Sequence, residues 1–181
     1  MIIFKDAISG VEVFSDSYKV TPSEDGFLLV CEGKHTQMKL GGGIDAGLIG
    51  GNPSQEEGGG DDVDDSEQVK SGVDVVMHYN LQDLELSKKD LKDYLKRWAK
   101  RRVACEDMKQ NDEKKKAFTC ACGKNIASFL KLMTDDAVVL AGDGDFIFEE
   151  GNQAPIIGVY AENGMDMKLY AIAESLIEEK Q

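Results

Sequence analysis

A chain of 181 residues is long enough to build one packed domain with its own core. With 41% hydrophobic and 30% charged residues, that core is available, but a good part of the chain must stay solvated. A formal net charge of −13 argues against DNA or RNA as the main partner, because a basic footprint over the whole domain is missing. No apolar run nears the roughly 18 residues that cross a bilayer, so membrane insertion is not expected. Lys5 and Asp6 interrupt the apolar start, so no signal peptide is expected either. Cys31, Cys105, Cys120 and Cys122 show no framework spacing, which fits reduced thiols and a cytoplasmic protein.

In chain order, Met1–Phe4, Val11–Phe14 and Phe27–Glu32 are strand candidates, with Pro22 and Asp25-Gly26 marking a turn. From Gly41 to Gly72 the chain carries three glycine clusters, one proline and eight carboxylates. Such a segment buries too little surface to offset its ordering entropy, so residues 41–72 are expected to form a mobile acidic loop. A further strand is expected at Val73–Leu81.

The period then turns helical. Ser87 is a good N-cap, and Leu91, Tyr94, Leu95, Trp98 and Ala99 form one apolar stripe. Gln110-Asn111-Asp112 reads as a turn, and Ala117, Phe118, Ala121, Ile126, Phe129, Leu130 and Met133 supply a second stripe. An antiparallel helical hairpin over 86–133 follows. Strands are expected near Val138–Ala141, Phe146–Phe148, Ile156–Tyr160 and Lys168–Ala173. The expectation is one α+β domain: a β core from 1–40, 73–85 and 134–181, the loop over 41–72, and the hairpin over 86–133.

Charge is segregated along this order. Residues 86–132 hold 14 basic and 6 acidic side chains, a net of +8, which leaves −21 for the rest of the −13 chain. Lys92, Lys96, Arg97, Lys100, Arg101 and Arg102 fall on or near the face opposite the Leu91–Leu95–Trp98 stripe. They are expected to be exposed, close together and able to dock an acidic partner.

Enzyme signatures fail. His35 and His78 have no partner at metal or triad spacing. Gly41-Gly42-Gly43-Ile44-Asp45-Ala46 fits a loose dinucleotide pattern but lacks the helix that must follow it. No Walker lysine follows a glycine cluster, and no G-x-S-x-G occurs, so no organic cofactor is expected. Cys120 and Cys122 lie two apart in a helical pattern and point about 200° apart, so zinc is not expected. Asp61, Asp62, Asp64, Asp65 and Glu67 offer hard oxygen ligands suited to weak calcium binding, although no EF-hand spacing is present.

The run Leu48-Ile49-Gly50-Gly51-Asn52-Pro53-Ser54-Gln55-Glu56-Glu57, followed by acidic residues and Gly72-Val73-Asp74-Val75-Val76, resembles the first signature of the translationally controlled tumour protein family. The start Met1-Ile2-Ile3-Phe4-Lys5-Asp6, with Glu12 and Phe14-Ser15-Asp16, is similar too, as is the ending Glu178-Glu179-Lys180. Gln55 departs from the small residue usual there. Leu140-Ala141-Gly142-Asp143 departs from an aromatic-apolar-Gly-Glu pattern by shortening the carboxylate.

The resemblance implies an Mss4-like β-tent core with an inserted helical hairpin and a long flexible acidic loop. It also implies calcium binding, association with tubulin and microtubules, growth promotion through a Rheb-type small GTPase, and anti-apoptotic contacts. Glu12 matches the family carboxylate tied to the GTPase contact, and Asp143 stands where a second carboxylate is expected. A BH3-like helix after Tyr18 is disfavoured by Pro22. Three functions follow as expectations: first a calcium-binding, microtubule-associated growth regulator that is not an enzyme, next a guanine-nucleotide exchange factor for a Rheb-type GTPase, and third a chaperone-like binder with no fixed partner.

Overall fold

Alternation of apolar side chains on two faces of one sheet organises the chain. The computed structural model describes residues 1–39 and 69–181. The strands are β1 (Ile2–Asp6), β2 (Glu12–Ser15), β3 (Lys19–Pro22), β4 (Leu28–Gly33), β5 (His35–Lys39), β6 (Val69–Val73), β7 (Gln82–Asp83), β8 (Ala137–Ala141), β9 (Ile156–Tyr160), β10 (Met167–Ile172) and β11 (Leu176–Lys180). The helices are α1 (Asp74–His78), α2 (Lys88–Val103), α3 (Glu106–Lys109) and α4 (Asp112–Leu130). A six-stranded antiparallel sheet runs β3-β4-β10-β9-β8-β7, a three-stranded sheet runs β11-β1-β2, and β5 pairs with β6.

Successive side chains of a strand point to opposite faces. On one face of the large sheet, Cys31, Leu140, Ile156, Leu169 and Ala171 pack with Phe4, Val13 and Phe14 of the small sheet. On the other face, Val139, Ile157 and Ile172 pack with Leu91, Tyr94, Leu95 and Trp98 of α2 and with Phe118 and Phe129 of α4. The large sheet is thus covered twice, which is why β8 and β9 read as unbroken apolar runs.

Ser87 caps α2 by accepting from Asp90 N at 3.1 Å, and Asn111 caps α4 by accepting from Lys114 N at 3.1 Å. Between the two long helices the chain makes the short α3 as well as the expected turn.

Three expectations need correction. Val73–Leu81 is not a strand: β6 ends at Val73 and α1 follows. The Asp74 carboxylate accepts from Val75 N at 2.7 Å and from Lys34 N at 2.9 Å, which starts the helix, and so short an apolar run fits either period. Phe146–Phe148 is not a strand either. Its rings turn inward onto Tyr94, at 4.8 and 5.7 Å between centroids, and Ile147 N is taken by the Asn152 side chain at 2.9 Å. The acidic segment was expected to run to residue 72, but Val69–Gly72 pair with β5. The remainder of that segment lies outside the described residues.

An ion-pair network pins the hairpin to the sheet. Arg102, only 1% exposed, holds Asp107 through two bonds of 2.8 and 2.9 Å and donates from Nε to Glu174 O at 2.5 Å. Lys114 of α4 meets the same Asp107 carboxylate at 2.6 Å. The Arg102 hydrogen bonds, assisted by those of Lys114, hold the Asp107 carboxyl well below the usual carboxylate range. A depressed folded value means that this stabilisation is present above the unfolded value of about 3.9 and is lost as pH falls through the folded one. Asp6 acts in the opposite sense. Its burial raises its carboxyl, although it accepts from Ile8 N and Ala154 N, so its cost is relieved as pH falls. Arg102→Ala is expected to cost about 2–4 kcal/mol, at or below the figure for fully buried pairs because Asp107 stays partly hydrated. Urea denaturation at pH 7 and pH 3 checks this, with the difference between variant and parent shrinking at the lower pH.

Candidate functional site

The two carboxylates singled out by resemblance, Glu12 and Asp143, lie 131 positions apart in the chain. The fold brings them to the rim of one surface depression of about 290 Å³, lined by Val11, Glu12, His78, Tyr79, Asn80 and Asp143. Glu12 opens β2, Asp143 follows β8, and His78 ends α1. Both carboxylates and His78 are exposed, while Tyr79 is half-buried.

Aromatic stacking orders two of the lining residues. The His78 and Tyr79 rings stack at 4.6 Å with 13° between planes, and the Tyr18 hydroxyl meets His78 Nδ1 at 3.2 Å. Asn80 adopts a left-handed backbone with φ 52°, a conformation that asparagine tolerates better than most residues and that turns the chain out of α1. His78 and its neighbours are the residues that sequence reasoning missed. His78 was expected in a strand, where it would have had no reason to face Glu12 and Asp143.

Chemically, the two exposed carboxylates give this depression a negative charge that is complementary to a cation. Its volume lies at the floor of the range for small-molecule pockets, enough for an inserted side chain and too small to enclose a nucleotide. Among the described residues, no serine or cysteine lines it. Among the described residues, no group of three or more His, Cys, Asp or Glu side chains is placed to hold a metal ion. Cys120 is exposed and Cys122 half-buried, both on α4, and burial pushes the Cys122 thiol up to about 11, away from the thiolate that zinc requires.

The basic face of α2 is narrower than expected. Lys92, Lys96 and Lys100 are exposed at four-residue intervals, and none is in an ion pair among the described residues. The arginines are engaged. Arg97 is half-buried with its guanidinium 4.8 Å from the Phe148 ring centroid, and Arg101 pairs with Glu150 at 3.6 Å. Arg102 must be removed from the docking face altogether, because it points inward to Asp107 and Glu174. The expected calcium ligands Asp61, Asp62, Asp64, Asp65 and Glu67, and the signature residues Ile49, Gly50, Gly51, Asn52, Pro53, Ser54 and Glu56, lie outside the described residues.

Comparison with known proteins agrees with this architecture. The model of the family described as translationally controlled tumour protein matches residues 1–176. A translationally controlled tumour protein homolog of Danio rerio is 46% identical over 100 residues, covering 55% of this chain and 56% of that protein. That match spans little more than half of the relative's length. The Xenopus laevis homolog is 40% identical and the Homo sapiens protein 37% identical, each over 130 residues, covering 72% of this chain and 73% of the relative. Among solved structures, a translationally controlled tumour-associated protein from Schizosaccharomyces pombe superposes with a TM-score of 0.69 at 23% identity, covering both chains in full. The Caenorhabditis elegans protein does so with 0.64 at 26% identity, covering 100% of this chain and 99% of its own. The fold is therefore the Mss4-like one of these structures, with its helical hairpin, and the chain belongs to the translationally controlled tumour protein family.

Proposed function

We propose that this protein is a non-enzymatic growth regulator of the cytoplasm that acts through protein contacts, and that the Glu12–Asp143 depression meets a small GTPase of the Rheb type. The observation that carries this reading is the convergence of two exposed carboxylates from distant segments of the chain on one concave surface. A lysine or arginine of the GTPase would enter between them, and the stacked His78 and Tyr79 rings would supply apolar contact beside the charge. If the inserted cation is the lysine that holds nucleotide phosphates, the same contact loosens the nucleotide, which is the exchange-factor form of the reading. Glu12→Gln and Asp143→Asn are each expected to weaken binding about tenfold, equivalent to about 1.4 kcal/mol. Binding measured by calorimetry on the GDP-loaded GTPase tests this, and nucleotide release timed in the same samples tests exchange. Wild-type affinity in both variants would move the contact elsewhere.

A second contact is favoured by the Lys92, Lys96 and Lys100 row. The three ammonium groups repeat every 6 Å or so along α2, within a Debye length of about 8 Å, and present one positive stripe to an acidic tubulin tail. Lys92→Glu, Lys96→Glu and Lys100→Glu combined should abolish co-sedimentation with microtubules while leaving the melting temperature nearly unchanged. Binding by the parent protein should weaken steeply between low and physiological salt.

Calcium is proposed to bind weakly, at about millimolar affinity, through some of Asp61, Asp62, Asp64, Asp65 and Glu67. Calcium titration followed by amide resonances is expected to move some of these residues. Contacts with apoptosis regulators are the remaining proposal, and they would not run through a helix after Tyr18, since Lys19–Pro22 forms β3.

A further inference from the structure

The turn that carries Asp143 is clamped from both sides. A side chain at Gly142 would place its Cβ 2.7 Å from Val11 Cγ1 and 3.4 Å from Gln153 Oε1. At Gly144 it would lie 3.2 Å from Val11 Cγ2 and 3.3 Å from Gln153 Nε2. Val11 precedes Glu12, so the separation of the two carboxylates is set by how closely this bare turn sits between Val11 and Gln153.

Gln153 is itself tightly held. It is 1% exposed, its N–H donates to the Tyr94 hydroxyl at 3.0 Å, and that hydroxyl donates back to Gln153 O at 2.5 Å. Its Nε2 donates to Asp145 O at 2.8 Å, an oxygen that also accepts from Asn152 Nδ2 at 2.8 Å. Its Oε1 is buried with no partner among the described residues. A buried acceptor left unpaired is costly, and a hydrocarbon side chain of the same length would avoid that cost. What such a side chain could not supply is the Nε2 donor to the turn.

We propose that Gln153 is the positioning residue of the carboxylate depression, holding the Gly142–Asp145 turn so that Asp143 faces Glu12, and tying that turn to α2 through Tyr94. The proposal rests on the reading that the depression receives a partner's cation. The hairpin and the acidic rim are then parts of one device, since Tyr94 sits on the inner face of the helix whose outer face carries Lys92 and Lys96.

Gln153→Met in the full chain tests this. It removes the donor and the orphan acceptor together while conserving volume, so the melting temperature should change little. Amide exchange at Gly142–Asp145 should accelerate about tenfold, with the β8 and β9 amides unaffected. Affinity for the GDP-loaded Rheb-type GTPase should fall about three- to tenfold, and Gln153→Met added to Asp143→Asn should cause no further loss. Gln153→Leu, which also lacks the donor, should reproduce the faster exchange. Unchanged exchange in both variants would overturn the proposal, as would an equal affinity loss with and without Asp143→Asn. Should Asp143→Asn alone bind like the parent, the functional reading fails, and the exchange measurement still decides the role of Gln153.

Discussion

Four side chains on one face of α2 set the geometry of everything around them. Leu91, Tyr94, Leu95 and Trp98 are essentially withdrawn from solvent against the outer face of the six-stranded sheet. Burial of side chains of this size is worth about 1.5–3 kcal/mol each, so the stripe alone rivals the net stability of a small domain before entropy is counted. Its position leaves no freedom nearby. A Cβ at Gly151, whose φ is +60°, would lie 2.5 Å from Trp98 N, so the chain between β8 and β9 passes directly over the helix backbone. The Tyr94 hydroxyl then fixes Gln153 from below. The carboxylate depression is downstream of that contact.

The same helix sorts its cations by chemistry. Its three arginines are drawn back onto the protein: Arg97 over Phe148, Arg101 to Glu150, and Arg102 to Asp107 and Glu174. A planar guanidinium stacks on rings and forks onto carboxylates, and it is more weakly hydrated than an ammonium, so it tolerates the half-buried site of Arg97 and the buried one of Arg102, while Arg101 stays exposed beside Glu150. Lys92, Lys96 and Lys100 keep their hydration and stay outward. A helix that reads as uniformly basic is in fact anchored by one residue type and presents the other.

Ser87 marks a helix start because a short polar side chain satisfies free backbone donors, a local effect that needs no tertiary context, whereas Asn111, expected in a turn, caps α4 as well. The stripes on α2 and α4, and the apolar runs of β8 and β9, were legible because periodicity follows directly from backbone geometry. Val73–Leu81 contains a helix where a strand was expected because its short apolar run, Val73–Met77, carries too few repeats to separate a period of 2 from one of 3.6. Phe146–Phe148 was misjudged because its aromatic pattern answers to Tyr94, a residue some fifty positions away, and not to strand pairing.

The sequence by itself determined the α+β order, the capped hairpin and the segregation of charge, since each arises from neighbours along the chain. Only the tertiary structure decided which cations remain free, because whether Arg102 is exposed depends on where Asp107 and the turn at Glu174 come to rest. It alone set His78 and Tyr79 beside Glu12 and Asp143, and Gln153 beneath the turn. Those juxtapositions come from strands distant in sequence packing against a shared sheet, and no local pattern encodes that distance.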